Sequence, residues 1–312
     1  METTMWLLSR LCDRTPSRNG KHDRVRRPRA KPAAFRPRLE ALEGRDVPST
    51  LTVTSSLDNG APGTLRAEIA AAKSKDTIVF APGVDGATIT LTSGQLEISK
   101  NVTIQGPGAG LLTIDGDLQS RIFQVDAKVT VTLSGMTISN GYALSDGYNL
   151  DGGGILNLGT LTVSSCVLSA NAAYDESPFV GGEYGKGGGI YNAGTLTVSN
   201  STLIGNQATY GGGFYNAGTA TISGCTLTSP SPSMTNGTTR QAAYYGGGIY
   251  NGGTLTVSSC TFSYNDAIYY GGAIFNQSRL TVSNSVFNFN LANRGSHNIY
   301  GLYTGGGGNT YA

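Results

Sequence analysis

A glycine-led motif recurs through the second half of this chain, and its spacing leaves few folds open. Gly-Gly-(Gly/Ala)-(Ile/Phe) begins at Gly152, Gly187, Gly211, Gly246 and Gly271, and four glycines run from Gly305, so the gaps are 35, 24, 35, 25 and 34 residues. The short unit, 187–210, reads GGGIYNAGTLTVSNSTLIGNQATY, and the long units match it but add about ten residues just before the next glycine cluster. Within a unit, apolar Leu196, Val198 and Leu203 alternate with polar Thr197, Ser199 and Thr202, which is the period of a strand. Runs this short cannot bury a face alone. They can when each 24–25-residue unit is one turn of a coil stacked on the next.

Stacking turns equivalent positions into columns. Ile155, Ile190, Phe214, Ile249 and Ile274 form one apolar column. Val163, Val198, Ile222, Val257 and Val282 form a second, and Leu168, Leu203, Leu227, Phe262 and Phe287 a third. The expected fold is therefore all-β, a right-handed parallel β-helix. Asparagine repeats too, at Asn157, Asn192, Asn216, Asn251 and Asn276, and again at Asn171, Asn206, Asn265 and Asn290. An amide both donates and accepts, so stacked Asn side chains are expected to satisfy one another, a structural rather than a ligand role. Other repeats fit worse. Calcium-binding nonapeptide rolls need Asp inside the glycine motif, where this chain has Ile-Tyr-Asn, and a propeller blade needs about 40–50 residues.

Composition bounds the rest. The 45 glycines of the 312-residue chain lack a Gly-X-Y period and only 11 residues are proline, which excludes collagen. No stretch approaches the ~20 apolar residues of a transmembrane helix. Residues 1–50 hold 12 Lys/Arg against 6 Asp/Glu, a net of +6, and residues 51–312 hold 10 against 14, a net of −4. Residues 1–48 read as a disordered basic leader and 49–312 as the β-helix, with a lead-in and cap over 49–100 and coils over 101–312. Nucleic-acid binding is not expected of that acidic folded part. Leu65, Ile69 and Ala72 stand at helical spacing behind Thr64, a good N-cap, and predict a small helix over the first coil.

Two resemblances follow from quoted residues. Gly271-Gly-Ala-Ile274 with Phe287-Asn-Phe-Asn290, and Phe262-Ser-Tyr-Asn265, resemble the paired G-G-A-I and F-x-x-N signatures of chlamydial polymorphic outer membrane proteins, across 152–290. Leu227-Thr-Ser-Pro230 departs from that pattern. The segment 36–49, RPRLEALEGRDVPS, resembles the R-L-E-x-L-E-x-R-x-x-P-S segment near the start of exported planctomycete proteins. Together they imply an extracellular or cell-surface protein. The chain stops where another coil would begin, so self-association through an open final coil is a further expectation.

Candidate sites lie on the outside of the coil. Tyr191, Tyr215, Tyr250 and Phe275 follow the first apolar column and point the other way, with Leu156 in line, and Tyr210, Tyr245 and Tyr270 precede the glycine corners. Rings so arranged suit stacking on the sugars of an extended polysaccharide or cell-surface glycan, or else pack on one another. Insertions over roughly 172–186, 229–245 and 291–304 would line one edge and carry Arg240, Arg294 and Tyr300, which join the aromatic column as ligand-binding candidates. Cys166, Cys225 and Cys260 share a column with Ser201 and Ser285 and read as small inward residues, although Cys225 and Cys260 fall within disulfide range. No cofactor motif is evident, and with only His22 and His297 a histidine metal site is not expected.

The function expected is a non-catalytic adhesive, glycan-binding or structural rod, with no catalytic residue assigned. The competing expectation is a polysaccharide lyase or glycoside hydrolase using Asp146, Asp151, Asp175, Glu176, Glu183 and Lys186. Against it, the regular strands of 152–290 carry almost no charge beyond Arg279.

Overall fold

A computed structural model describes residues 47–143, 150–173, 185–229 and 243–312. The basic leader lies outside these residues up to 46, as do Asp146, Asp175, Glu176, Glu183 and Arg240.

The described chain winds as a right-handed parallel β-helix whose coils build three long sheets of ten, eight and nine strands. One coil shows the path. Ile190–Asn192 lies in the eight-stranded sheet, Thr195–Ser199 in the ten-stranded sheet and Thr202–Ile204 in the nine-stranded sheet. Every pairing along these sheets is parallel and joins equivalent positions of neighbouring coils, as in Ile155↔Ile190, Ile190↔Phe214, Phe214↔Ile249 and Ile249↔Ile274. All three predicted apolar columns are buried in one continuous core. The Phe262 and Phe287 rings stack inside it, 4.9 Å apart and 4° from parallel.

The corner before each core strand explains the leading glycine. Gly246 has a φ of +65°, and a Cβ there would run into the carbonyl oxygen of Ile249. Only glycine meets both demands at low cost. The amide that closes the next corner comes from the first Asn column, which is a continuous ladder. Asn157 Nδ2 donates to Asn192 Oδ1 at 2.6 Å, Asn192 to Asn216 and Asn216 to Asn251 at 2.8 Å, and Asn251 to Asn276 at 2.7 Å. The second column forms two shorter ladders, Asn171 to Asn206 and Asn265 to Asn290, both at 2.9 Å. Between them the sequence places Pro230, whose side chain has no amide.

The sulfur column behaves as its serine members do. Ser201 and Ser285 donate to the carbonyl two residues back at 2.8 Å, and the Cys166, Cys225 and Cys260 thiols reach the equivalent carbonyls at 3.2–3.3 Å. All three cysteines are free. Each also donates its backbone N–H across the coil boundary, Cys166 to Ser201 Oγ at 3.1 Å, Cys225 to Cys260 Sγ at 3.4 Å and Cys260 to Ser285 Oγ at 3.1 Å. Burial pushes the Cys166 thiol up.

The first coil closes differently. The predicted helix is Leu65–Ala71, with Thr64 as N-cap accepting from Ala67 N–H, and Leu65, Ile69 and Ala72 pack into the core. Lys100 Nζ donates to the last carbonyls, Ala70 and Ala72, at 2.9 and 2.7 Å, where a cation complements the helix end. Beside it, buried Asp58 receives Arg66 Nε at 2.7 Å and Nη2 at 2.9 Å, plus the Thr92 and Ser93 N–H groups at 2.8 and 3.1 Å. Burial alone would raise the Asp58 pKa, but the Arg66 hydrogen bond, the two N–H groups and the Arg66 charge together outweigh it and hold it below the usual carboxylate range.

One expectation about charge needs correction. Asp266 as well as Arg279 lies in a regular strand of the glycine-rich coils, Asp266–Tyr270, which pairs with Ala243–Tyr245 and Leu291–Ala292 in a small corner sheet. Burial pushes the Asp266 carboxyl up.

Candidate functional site

The eight-stranded sheet points its middle residues outward, and parallel pairing sets them in one file. Glu97 pairs with Gln124, Gln124 with Leu156, Leu156 with Tyr191, and the line continues through Tyr215, Tyr250, Phe275 and Tyr300. The residues immediately before the glycine corners form a second file: Asp151, Lys186, Tyr210 and Tyr245 bridge in turn, and Tyr245 pairs with Tyr270. Between the files runs a groove of about 390 Å³ lined by Lys186, Tyr210, Tyr215, Tyr245, Tyr250, Tyr270, Phe275, Gln277 and Tyr300. That volume falls within the range of small-ligand sites.

The rings pack on one another along the axis. Centroids lie 5.3 Å apart for Tyr191–Tyr215, 4.7 Å for Tyr215–Tyr250, 5.1 Å for Tyr250–Phe275 and 5.0 Å for Phe275–Tyr300. The cause is the coil spacing, about 4.8 Å, which is close to the separation at which aromatic rings stack. Of the two expected arrangements, stacking on sugars or packing on one another, the rings adopt the second along the file. Ring faces inside the file are covered by neighbouring rings, so the groove offers ring edges, phenol hydroxyls and the tilted faces where the two files meet. They meet at Tyr210–Tyr250, Tyr245–Phe275 and Tyr270–Tyr300, with centroids 5.6, 4.8 and 4.7 Å apart.

Polar groups are few. Tyr250 Oη donates to Gln277 Oε1 at 2.6 Å. Burial, followed by the neighbouring Tyr215, Tyr210 and Tyr245, pushes the Tyr250 phenol up to about 12. Tyr215 is raised by burial and then by Tyr191, Asp151 and Tyr210. Lys186 Nζ lies 3.7 Å from Asp151 Oδ1 and 5.8 Å from the centre of the Tyr215 ring.

Of the residues expected to bind ligand, Tyr215, Tyr250, Phe275 and Tyr300 line the groove, and Tyr191 continues the same file beyond it. Tyr300 is no loop residue: it lies in strand Ile299–Tyr300 and extends the file. Lys186 and Tyr245, assigned to insertions, likewise belong to the pre-glycine file. Arg294 stands apart, its guanidinium 4.5 Å from the centre of the Tyr269 ring. Arg240 lies outside the described residues. Gln277 was missed because it follows the Asn ladder in a turn where the other coils hold Leu158, Ala193, Ala217 and Gly252, so no column marks it.

No family model matches the chain, and no curated protein does either. Several solved chains resemble it, and pectate lyase is among them. The crystal structure of pectate lyase Pel9A is 16% identical, covers 84% of this chain and 78% of its own, and aligns with a TM-score of 0.48. Among the described residues no group of three or more His, Cys, Asp or Glu is arranged to hold a metal ion, and no helix is long and apolar enough to cross a membrane.

Proposed function

We propose that this protein is an exported or cell-surface β-helix that binds a glycan along the aromatic groove without cleaving it, serving as an adhesive or structural rod. The observation that carries the reading is the groove's lining among the described residues: six tyrosines, one phenylalanine, one glutamine and one lysine, with no carboxylate. Glycoside cleavage calls for a pair of carboxyl groups flanking the bond, about 5–9 Å apart. Ring edges with phenol hydroxyls instead suit a chain that is apolar on its C–H faces and hydroxylated at its rim. The likeness of 152–290 to chlamydial surface repeats, and of 36–49 to an export segment, agrees with display outside the cell.

The test is to incubate the full chain with a panel of neutral and acidic polysaccharides, calcium present, and follow both retention and chain length. Retention of at least one polysaccharide at unchanged length, lost on Tyr250→Ala, is the expected result. Shortened chains overturn it in favour of a lyase or hydrolase, with the carboxylates of the inserted segments as the next residues to replace.

A further inference from the structure

The two files that wall the groove change character along the axis in the same direction. From the first coils onward one file runs Glu97, Gln124, Leu156 and then aromatic residues, while the other runs Asp151, Lys186 and then three tyrosines. Among the described residues Lys186 is thus the single charged residue of the lining, and it stands at one end of it, with Tyr300 at the other. Four coil steps separate them, about 19 Å at the spacing of parallel strands.

The Lys186 ammonium is half-buried and only loosely held. Its distance to Asp151 Oδ1, 3.7 Å, exceeds the ~2.8 Å of a charge-assisted hydrogen bond, and none of its N–H groups makes a hydrogen bond among the described residues. Aromatic walls beside it lower the local dielectric and strengthen its field toward anything lying in the groove. At the far end the lining offers only uncharged rings and hydroxyls.

We infer that the groove holds its ligand lengthwise and in one direction, with an acidic group of an oligosaccharide at Lys186 and an uncharged stretch against Tyr250, Tyr270 and Tyr300. This rests on the glycan-binding reading above and names its substrate class: a glycan carrying a carboxylate near one end of the bound segment. The ion pair formed with the ligand competes with Asp151 and is partly solvated, so its expected effect is moderate, roughly fivefold in affinity.

The experiment measures affinities of the full chain for cellohexaose, xylohexaose and mannohexaose, each in three forms: neutral, oxidised to the aldonic acid at the reducing end, and carrying a glucuronate at the non-reducing end. The expected result is that one acidic form of a bound hexamer outcompetes its neutral parent about fivefold while the acid at the opposite end gives no gain. Lys186→Gln should erase that ratio and Lys186→Arg should keep it. Equal affinity of all three forms, an equal gain from an acid at either end, or a ratio that survives Lys186→Gln overturns the inference and leaves glycan binding standing. Binding of no hexamer in any form overturns both.

Discussion

The first coils and the glycine-rich coils solve the same problem, burying a polar backbone against an apolar core, with opposite chemistry. Over 47–143 the solutions are charged and individual: Asp58 with Arg66, Asp76 receiving the Ser49 and Lys73 N–H groups, Lys100 on the helix carbonyls, and Arg121 reaching the Gly152 carbonyl at 2.9 Å and Gln95 Oε1 at 2.7 Å. Over 150–292 they are neutral and repeated: the Asn ladders and the Ser/Cys column. A side chain that must bond its own copy one coil away has to both donate and accept, which an amide or a hydroxyl does and an ion of one sign does not. Charged side chains bond buried backbone groups chiefly in the first coils, at positions with no equivalent copy one coil away, and charges of the later coils such as Lys186, Asp266 and Arg279 stand outside the ladders.

That contrast can be attacked most strongly at a corner. Gly246→Ala forces a Cβ onto the Ile249 carbonyl at positive φ, and a loss of about 3 kcal/mol or more is expected in urea unfolding. Because coils contact only neighbours, hydrogen exchange should loosen on both sides of residue 246 and leave 47–143 protected. Next comes Asn216→Ala, which removes the side-chain acceptor of the Asn192 amide and the side-chain donor to the Asn251 oxygen and should cost about 1–2 kcal/mol, with exchange again raised in two neighbouring coils.

Asp58→Ala probes the charged end, leaving Arg66 without its partner beneath the cap, at a cost of about 2 kcal/mol. Its pH dependence separates it from the amide variants. The Asp58 pKa is lowered in the folded protein, so its contribution is complete above the unfolded value near 4 and disappears as pH falls through the lower folded value. The difference between Asp58→Ala and the parent should therefore be constant at neutral pH and shrink in acid, whereas the Asn216→Ala deficit should not. Cys225→Ser sits at the small end, because serine already fills the same column at 201 and 285. A change within about 0.5 kcal/mol is expected, and a large loss would mean that the column tells sulfur from oxygen.

The repeated half was legible in the residues because each position is stated five times. Ile155 through Ile274 need only be aligned to appear as a column, and the in-register pairings follow that alignment. The cap helix was legible from Thr64 and the Leu65–Ile69 spacing, a local signal. The Asp58–Arg66 and Arg121 contacts were not, since they join positions that no other coil repeats. The groove was half legible. The aromatic file announced itself, but Asp151 and Lys186 were read as loop residues although both stand directly before a glycine corner, where Tyr210, Tyr245 and Tyr270 stand in later coils. A change of residue type down a column hid its continuity. Ring packing was one of two readings the file allowed: the sequence shows which rings are neighbours, and the 4.7–5.3 Å separations show that they cover one another.

The central claim, that the glycine-rich coils carry a glycan site on their eight-stranded sheet, is tested most directly by hydrogen exchange of the full chain with and without a retained polysaccharide fragment. Slower exchange confined to peptides around Lys186, Tyr210–Tyr215, Tyr245–Tyr250, Tyr270–Gln277 and Tyr300 is the result predicted. Protection centred on 47–143, or binding with no protection along this file, would contradict it.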